Sequence, residues 1–136
     1  MATKRILKLT NTEAIVKIDG APGTVTIDLD VDLKLSSEDI VGTPRVNIIT
    51  MQVSGKPNSV LSVARNSENL WDLQANTAEL VDLNNIGGIS DPTNNTSDIV
   101  VTSSTAEGQL LLRLRKVSGY VTKIRPAETG SDQPVA

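Results

Sequence analysis

The longest alternation of apolar and polar residues in the chain runs from Thr24 to Leu35. Every second residue of this segment is Val, Ile or Leu, and the residues between them are Thr, Asp or Lys. A period of two predicts a β-strand that buries one face. Twelve residues of strand would span about 40 Å, roughly twice the usual length, so we expect a bulge or a bend within the segment.

Shorter apolar segments between turn residues predict further strands on both sides. These segments are residues 6–10, 14–18, 46–53, 60–65, 70–73, 98–102, 109–116 and 120–124. Turn-forming Gly, Pro, Asn and Asp residues separate them, and residues 66–69 predict a hairpin. The apolar phase shifts at Ile48 and Ile49, which predicts a bulge or burial on both faces at that point.

Four segments are predicted as interruptions or remain ambiguous. Residues 36–39 are predicted to start a loop or a single helical turn, which the Gly-Thr-Pro sequence at residues 42–44 ends. The Ser-Gly pair at residues 118–119 predicts a break between the last two strands. Residues 77–83 fit either a strand or a short helix, because an Asn and a Glu near their start have the spacing of a helix cap.

Together these segments predict an all-β fold. We expect a β-sandwich or a small barrel of about eight to nine mostly antiparallel strands, with at most one short helix. Residues 1–125 are predicted to form a single β domain. Residues 126–136 are polar, contain two Pro and one Gly, and are predicted to be a C-terminal tail.

Composition excludes several classes of chemistry. The chain has 136 residues and contains no His, no Cys and no Phe. Disulfides, Cys/His zinc sites and Ser-His or Cys-His catalysis are therefore excluded. No glycine-rich phosphate-binding motif occurs either. We predict that the chain is not an enzyme and expect no catalytic residue, no cofactor and no metal.

Three aspartates within the long alternating segment suggest either cation binding or charge pairing. Asp28, Asp30 and Asp32 have the spacing that opens a calcium loop, but the sixth position lacks the required Gly and the twelfth lacks the Glu. On a strand they would lie on one face, about 7 Å apart, and would need cations opposite them. Arg113 and Arg115 are the predicted partners, either in the same copy or in a neighbouring one.

The formal net charge of −3 conceals a segregated pattern. Residues 66–112 carry seven acidic residues and no Lys or Arg, whereas residues 113–125 carry five cations and no acid. The pattern predicts either ion pairs within one fold or complementary patches between copies or partners. The negative net charge argues against nucleic-acid binding. The apolar runs are too short for a membrane span, and the N-terminus lacks the apolar stretch of a secretory signal.

Parts of the chain resemble small β-rich virion proteins of tailed bacteriophages, in the style of large myophages and cyanophages. The resemblance rests on residues 60–66, 70–73, 97–102 and 107–120. It implies a virion structural protein that decorates the capsid or belongs to the neck, tail or baseplate. It also implies that the chain is located in the virion, assembled in the host cytoplasm.

We therefore expect a non-enzymatic capsid-decorating or cementing protein. It would bind capsid or tail subunits, or form a homo-oligomer, through strand edges and charged terminal segments. The alternatives are a neck, tail or baseplate component and a stand-alone carbohydrate-binding module. Trp71, one of only two aromatic residues, is predicted to be a half-buried anchor. The predicted interface residues are Asp28, Asp30, Asp32, Trp71, Arg113 and Arg115.

Overall fold

The computed structural model contains nine β-strands and confirms the predicted all-β fold. It describes residues 2–20, 22–55, 60–74, 80–86, 88–89, 94–103 and 108–123. The strands are β1 (Ala2–Leu9), β2 (Glu13–Gly20), β3 (Gly23–Ile27), β4 (Glu38–Gly55), β5 (Val60–Arg65), β6 (Glu68–Gln74), β7 (Leu80–Asp82), β8 (Ile99–Ser103) and β9 (Gly108–Thr122). Within these ranges the one helical element is a 3-10 turn at Asn84–Ile86.

The strands form two antiparallel sheets, so the sandwich is the correct one of the two predicted architectures. Sheet A has the strand order β1-β2-β9-β4-β7, and sheet B has the order β3-β8-β5-β6. All described strand pairs are antiparallel. Among the described residues, no helix is long and apolar enough to cross a bilayer.

The core consists of aliphatic residues on the inner faces of the two sheets. In sheet A, Val16, Leu112 and Met51 are register partners across β2, β9 and β4, and all three are fully buried. In sheet B, Val101 and Val63 are paired and fully buried. Each such side chain contributes about 1.5–3 kcal/mol when it leaves water, so this layer provides most of the driving force for folding.

The bend expected within residues 24–35 is present, but the strand predicted there is too long. Strand β3 ends at Ile27, and a turn follows because the Asp28 carboxylate accepts the N–H groups of Asp30 at 2.9 Å and Val31 at 3.2 Å. Leu29 and Leu33 are nevertheless buried. The apolar period thus continues in a segment whose backbone is bent by local side-chain hydrogen bonds.

Strands β4 and β9 are longer than predicted, because two expected breaks are irregularities within paired strands. Pairing already begins at Glu38 with Thr122, and the register then shifts between Ile40 and Arg45. Gly119 lies opposite this bulge with φ of +90°, and a Cβ there would be 2.5 Å from the Pro44 Cα. Only glycine fits this conformation and this close approach.

The irregularity predicted at Ile48 and Ile49 is confirmed. The register between β4 and β9 shifts between Ile48 and Thr50, and both isoleucines are buried. The predicted hairpin is also present, since Asn66 and Ser67 join β5 to β6 with φ values of 53° and 61°. Of the ambiguous segment 77–83, residues 80–82 form strand β7, and residues 77–79 lie outside the described part of the chain.

Candidate interaction surfaces

Two of the three candidate aspartates stabilise the turn after β3. The Asp32 carboxylate accepts the backbone N–H of Asp28 at 2.8 Å, and it receives the Lys4 ammonium at 2.5 Å. Lys4 also donates to the Thr26 carbonyl at 2.7 Å. Strand β1 of sheet A is thereby joined to β3 of sheet B, whereas Asp30 is exposed.

The predicted row of aspartates on one strand face is therefore wrong, and so is its pairing with arginines inside this copy. Lys4, not Arg113 or Arg115, reaches this turn. Among the described residues, no group of three or more acidic side chains is placed to hold a metal ion. The carboxylates act here mainly as acceptors for backbone N–H groups.

Arg113 and Arg115 lie on the outer face of sheet A. Both alternate along β9 with buried leucines, and Arg113 donates to the Glu13 carboxylate at 3.2 Å. Glu13 also receives Lys8 at 3.1 Å, and the two cations hold the pKa of this carboxyl below its ordinary value. Arg115 is exposed and forms no ion pair with a described residue. This face therefore presents a net basic surface.

A shallow groove of about 480 Å³ lies beside these arginines. It is lined by Thr12, Glu13, Ile49 and Val117 as well as by residues 113–116 of β9. Trp71 lies elsewhere, on β6 in sheet B. The groove thus lacks the aromatic platform on which a sugar ring would stack.

Trp71 lies on strand β6, which is an edge of sheet B. Its register partner is the buried Val63, and the side chain is 40 % exposed. The position at the edge explains this exposure, because β6 is hydrogen-bonded only to β5 among the described strands. The indole is thus available for contact at the open edge of the sandwich.

Strand β1 is the corresponding edge of sheet A and pairs with β2 alone among the described strands. Arg5 and Lys8 are exposed on it, and Leu7 is 47 % exposed next to a register shift between Ile6 and Lys8. Arg5 and Lys8 are therefore edge-strand charges. Their location could not be derived from the sequence, because an edge strand has the same alternation as an inner one.

Sequence analysis missed a buried ion pair between β9 and β4. The Lys116 ammonium lies 2.6 Å from the Glu38 carboxylate, and the two side chains are 0 % and 1 % exposed. Lys116 also donates to the Thr10 carbonyl at 2.9 Å and lies 4.3 Å from the centre of the Tyr120 ring. Glu38 accepts the Leu35 N–H at 2.9 Å, so both charges have further polar partners.

Arg65 is a second buried cation that sequence analysis missed. It is 1 % exposed, and its guanidinium donates to the carbonyls of Val46 at 2.5 Å, Asn95 at 2.9 Å and Ser97 at 2.8 and 3.0 Å. Burial lowers its pKa to about 10, so the group is charged at neutral pH. The side chain begins on sheet B and bonds to β4 of sheet A, which joins the two layers.

Tyr120 connects the far end of β9 to the turn after β3. Its hydroxyl donates to the Leu29 carbonyl at 2.7 Å. Burial, followed by the negative charges of Asp30 and Glu38, raises the pKa of the phenol above its ordinary value of 10.0. The folded protein therefore keeps a neutral phenol at a pH where the unfolded chain ionises.

We expect Tyr120 to contribute a loss of stability as the pH rises above 10. The unfolded state releases the phenol proton first, so ionisation favours unfolding. Tyr120→Phe should cost about 1 kcal/mol at pH 8, through the lost hydrogen bond, and should flatten the alkaline decline. Urea unfolding at pH 8 and pH 11 measures both effects.

Arg65, with its pKa lowered to about 10, also titrates in this range, so the comparison with the phenylalanine variant isolates the phenol. Because the chain has one Tyr, its ultraviolet difference spectrum reports this site alone. A folded-state titration at the ordinary pKa of tyrosine would contradict the assignment.

The described structure belongs to the class of antiparallel β-sandwiches built from a five-stranded and a four-stranded sheet. Compared with known protein families and with curated proteins, the chain matches none.

Proposed function

We propose that the chain is a non-enzymatic structural protein of a bacteriophage virion, of the capsid-decorating or cementing type. The observation that carries the assembly role is a sandwich whose two long edge strands, β1 and β6, present charged and apolar side chains. Open strand edges bind neighbouring chains by main-chain hydrogen bonds, while their side chains select the partner. The resemblance to phage virion proteins supports the proposal that this assembly is a bacteriophage virion.

The interior of the sandwich suits such a role. Arg65 and the Lys116–Glu38 pair form polar contacts between elements that are distant in sequence. Such contacts resist local opening, because each buried charge would lose its partners when the elements separate. A cementing protein must hold its own shape while its edges contact neighbouring subunits.

Mass spectrometry of purified particles tests the proposal. Particles of the virus that encodes this chain, purified by two independent methods, should contain it at a constant ratio to the major capsid protein. Separate analysis of heads and tails distinguishes decoration of the capsid from a neck, tail or baseplate position. Absence of the chain from both fractions would refute the virion role.

One observation favours the alternative of a carbohydrate-binding module, namely the exposed ring of Trp71. A glycan array with the purified chain separates the two functions. We expect no glycan signal from the isolated protein. Strong binding that Trp71→Ala abolishes, together with absence from virions, would favour the module.

A further inference from the structure

The two long edge strands of the sandwich carry opposite charge. Arg5 and Lys8 are exposed on β1, and the strand carries no acidic residue. Glu68 and Asp72 are exposed on β6, and that strand carries no Lys or Arg. The two strands belong to different sheets, and among the described strands each lies at the end of its sheet. One chain thus has a basic edge and an acidic edge.

From this arrangement we propose that the chain assembles with further copies of itself, head to tail, by pairing β1 of one copy with β6 of the next. The inference rests on the proposed assembly role and names the partner as a second copy. Opposite charges across paired strands stabilise the pairing, and like charges destabilise it.

Charge disfavours the alternative in which identical edges pair. Two β1 strands side by side would bring Arg5 and Lys8 of each copy close to the same residues of the other copy. Two β6 strands would do the same with Glu68 and Asp72. A symmetric dimer through either edge is therefore opposed by like-charge repulsion, whereas the β1–β6 contact satisfies both edges.

The least charge-compensated residues of the two edges lie in regular stretches of strand. Arg5 precedes the register shift of β1 and forms no ion pair with a described residue. Asp72 follows the register shift of β6, and its carboxylate is bonded to the neutral donors Ser62 at 2.7 Å and Asn69 at 3.1 Å. A cation and an anion without an opposite partner are thus available, one on each edge.

Each edge also presents an apolar side chain next to its charges. Leu7 is 47 % exposed on β1, and Trp71 is 40 % exposed on β6. A tryptophan that loses its remaining exposed surface is a frequent centre of binding energy in protein interfaces. The contact would therefore combine main-chain hydrogen bonds, opposite charges and apolar burial.

The geometry of the contact determines the type of assembly. Because β1 and β6 are different surfaces, the interface is heterologous, and each added copy leaves one basic and one acidic edge open. Such contacts generate rings or filaments rather than closed dimers. Species larger than a dimer are thus the expected product.

Sedimentation velocity of the purified chain over a range of concentrations tests the inference. We expect oligomers beyond the dimer that weaken as salt rises, since exposed charges are screened. Arg5→Glu and Asp72→Lys should each raise the dissociation constant about tenfold. The double variant, which exchanges the two charges, should recover most of the affinity.

Arg115→Glu is the matched control, because it makes the same charge change on the outer face of sheet A, away from both edges. It should leave the assembly unchanged, and thermal melts check that every variant folds. A monomer up to about 1 mM would overturn the inference. A dimer as the largest species would also overturn it, and so would oligomers whose dissociation constant is unchanged by Arg5→Glu and by Asp72→Lys. Such an outcome with the chain still present in virions would leave the proposed function intact and point to a different virion protein as the partner of these edges.

Discussion

Replacing Arg65 by methionine is expected to lower the free energy of unfolding by about 3–4 kcal/mol. Methionine keeps the unbranched stem of the side chain and ends about where the Nε of Arg65 lies, so the change removes the guanidinium together with its hydrogen bonds. The carbonyls of Val46, Asn95 and Ser97 would lose four hydrogen bonds in all. Buried polar groups that lose a partner cost about 1–3 kcal/mol each, although other donors compensate in part.

Asn95 illustrates this partial compensation. Its carbonyl also accepts the Val46 N–H at 3.0 Å, so it retains one donor in the variant. The Ser97 carbonyl loses more hydrogen bonds than the other two carbonyls, because it accepts two of the four. A loss of this size is a large fraction of the stability of a typical domain, about 5–15 kcal/mol.

Urea unfolding followed by tryptophan fluorescence measures this change in the free energy of unfolding with a probe close to Arg65. Trp71 is the single tryptophan, and it lies on β6 beside the strand that carries Arg65. Arg113→Met is the matched control, because it removes an arginine whose side chain is 43 % exposed and which has one ion pair. The control should cost about 1 kcal/mol or less. Equal effects of the two substitutions would contradict the role of Arg65 as a link between the sheets.

The strands were predictable because the signals that define them are local. A period of two, together with turn residues, located eight of the nine described strands, but the end of β3 and the start of β4 were each missed by eight residues, and β9 was predicted as two strands. It also located the bulge at Ile48 and Ile49. The alternation could not show that residues 28–33 leave the sheet, since Leu29 and Leu33 remain buried in the turn. The turn forms because the Asp28 carboxylate accepts the N–H groups of Asp30 and Val31, which would otherwise be available for strand pairing.

The buried cations left a signal in the sequence that charge counting overlooked. Arg65 follows Leu61 and Val63 at a period of two, and all three are buried on the inner face of β5. Lys116 follows Leu112 and Leu114 in the same way on β9. A charge in phase with a buried row predicts a buried polar contact, whereas Arg113 and Arg115 are out of phase and face solvent or the groove.

The partners of these cations could not be predicted. Glu38 is 78 residues from Lys116, and the carbonyls that bind Arg65 belong to a strand and a loop that meet it only in the folded chain. Likewise, which strands lie at the edges depends on the order of the sheets. For that reason the opposite charges of β1 and β6 became apparent only in the three-dimensional arrangement.

Breaking the buried pair between Lys116 and Glu38 is expected to cost about 3–5 kcal/mol for either single substitution. In Lys116→Met, the Glu38 carboxylate keeps the Leu35 N–H but loses its counter-ion in a site where it is 1 % exposed. In Glu38→Leu, the ammonium keeps the Thr10 carbonyl and the Tyr120 ring but loses its anion. Each single variant thus leaves one charge buried without compensation.

The double variant Lys116→Met/Glu38→Leu should cost clearly less than the sum of the two single variants. It removes both charges and replaces them by apolar groups, which are often tolerated in place of a buried ion pair. We expect a coupling energy of about 2 kcal/mol or more from the double-mutant cycle, measured by urea unfolding. Lys8 and Glu13 form the control pair, since they lie 3.1 Å apart with side chains 54 % and 25 % exposed.

The control pair should show a coupling energy of about 0.2–1 kcal/mol, because water and salt screen its charges. Both pairs are in direct contact, so a difference between their coupling energies is due to burial and not to the distance between the charges. Additive effects of Lys116→Met and Glu38→Leu would mean that the two charges do not stabilise each other. The ion pair would then add nothing to the pairing of β4 with β9, and the Thr10 carbonyl and the Tyr120 ring would account for the burial of Lys116.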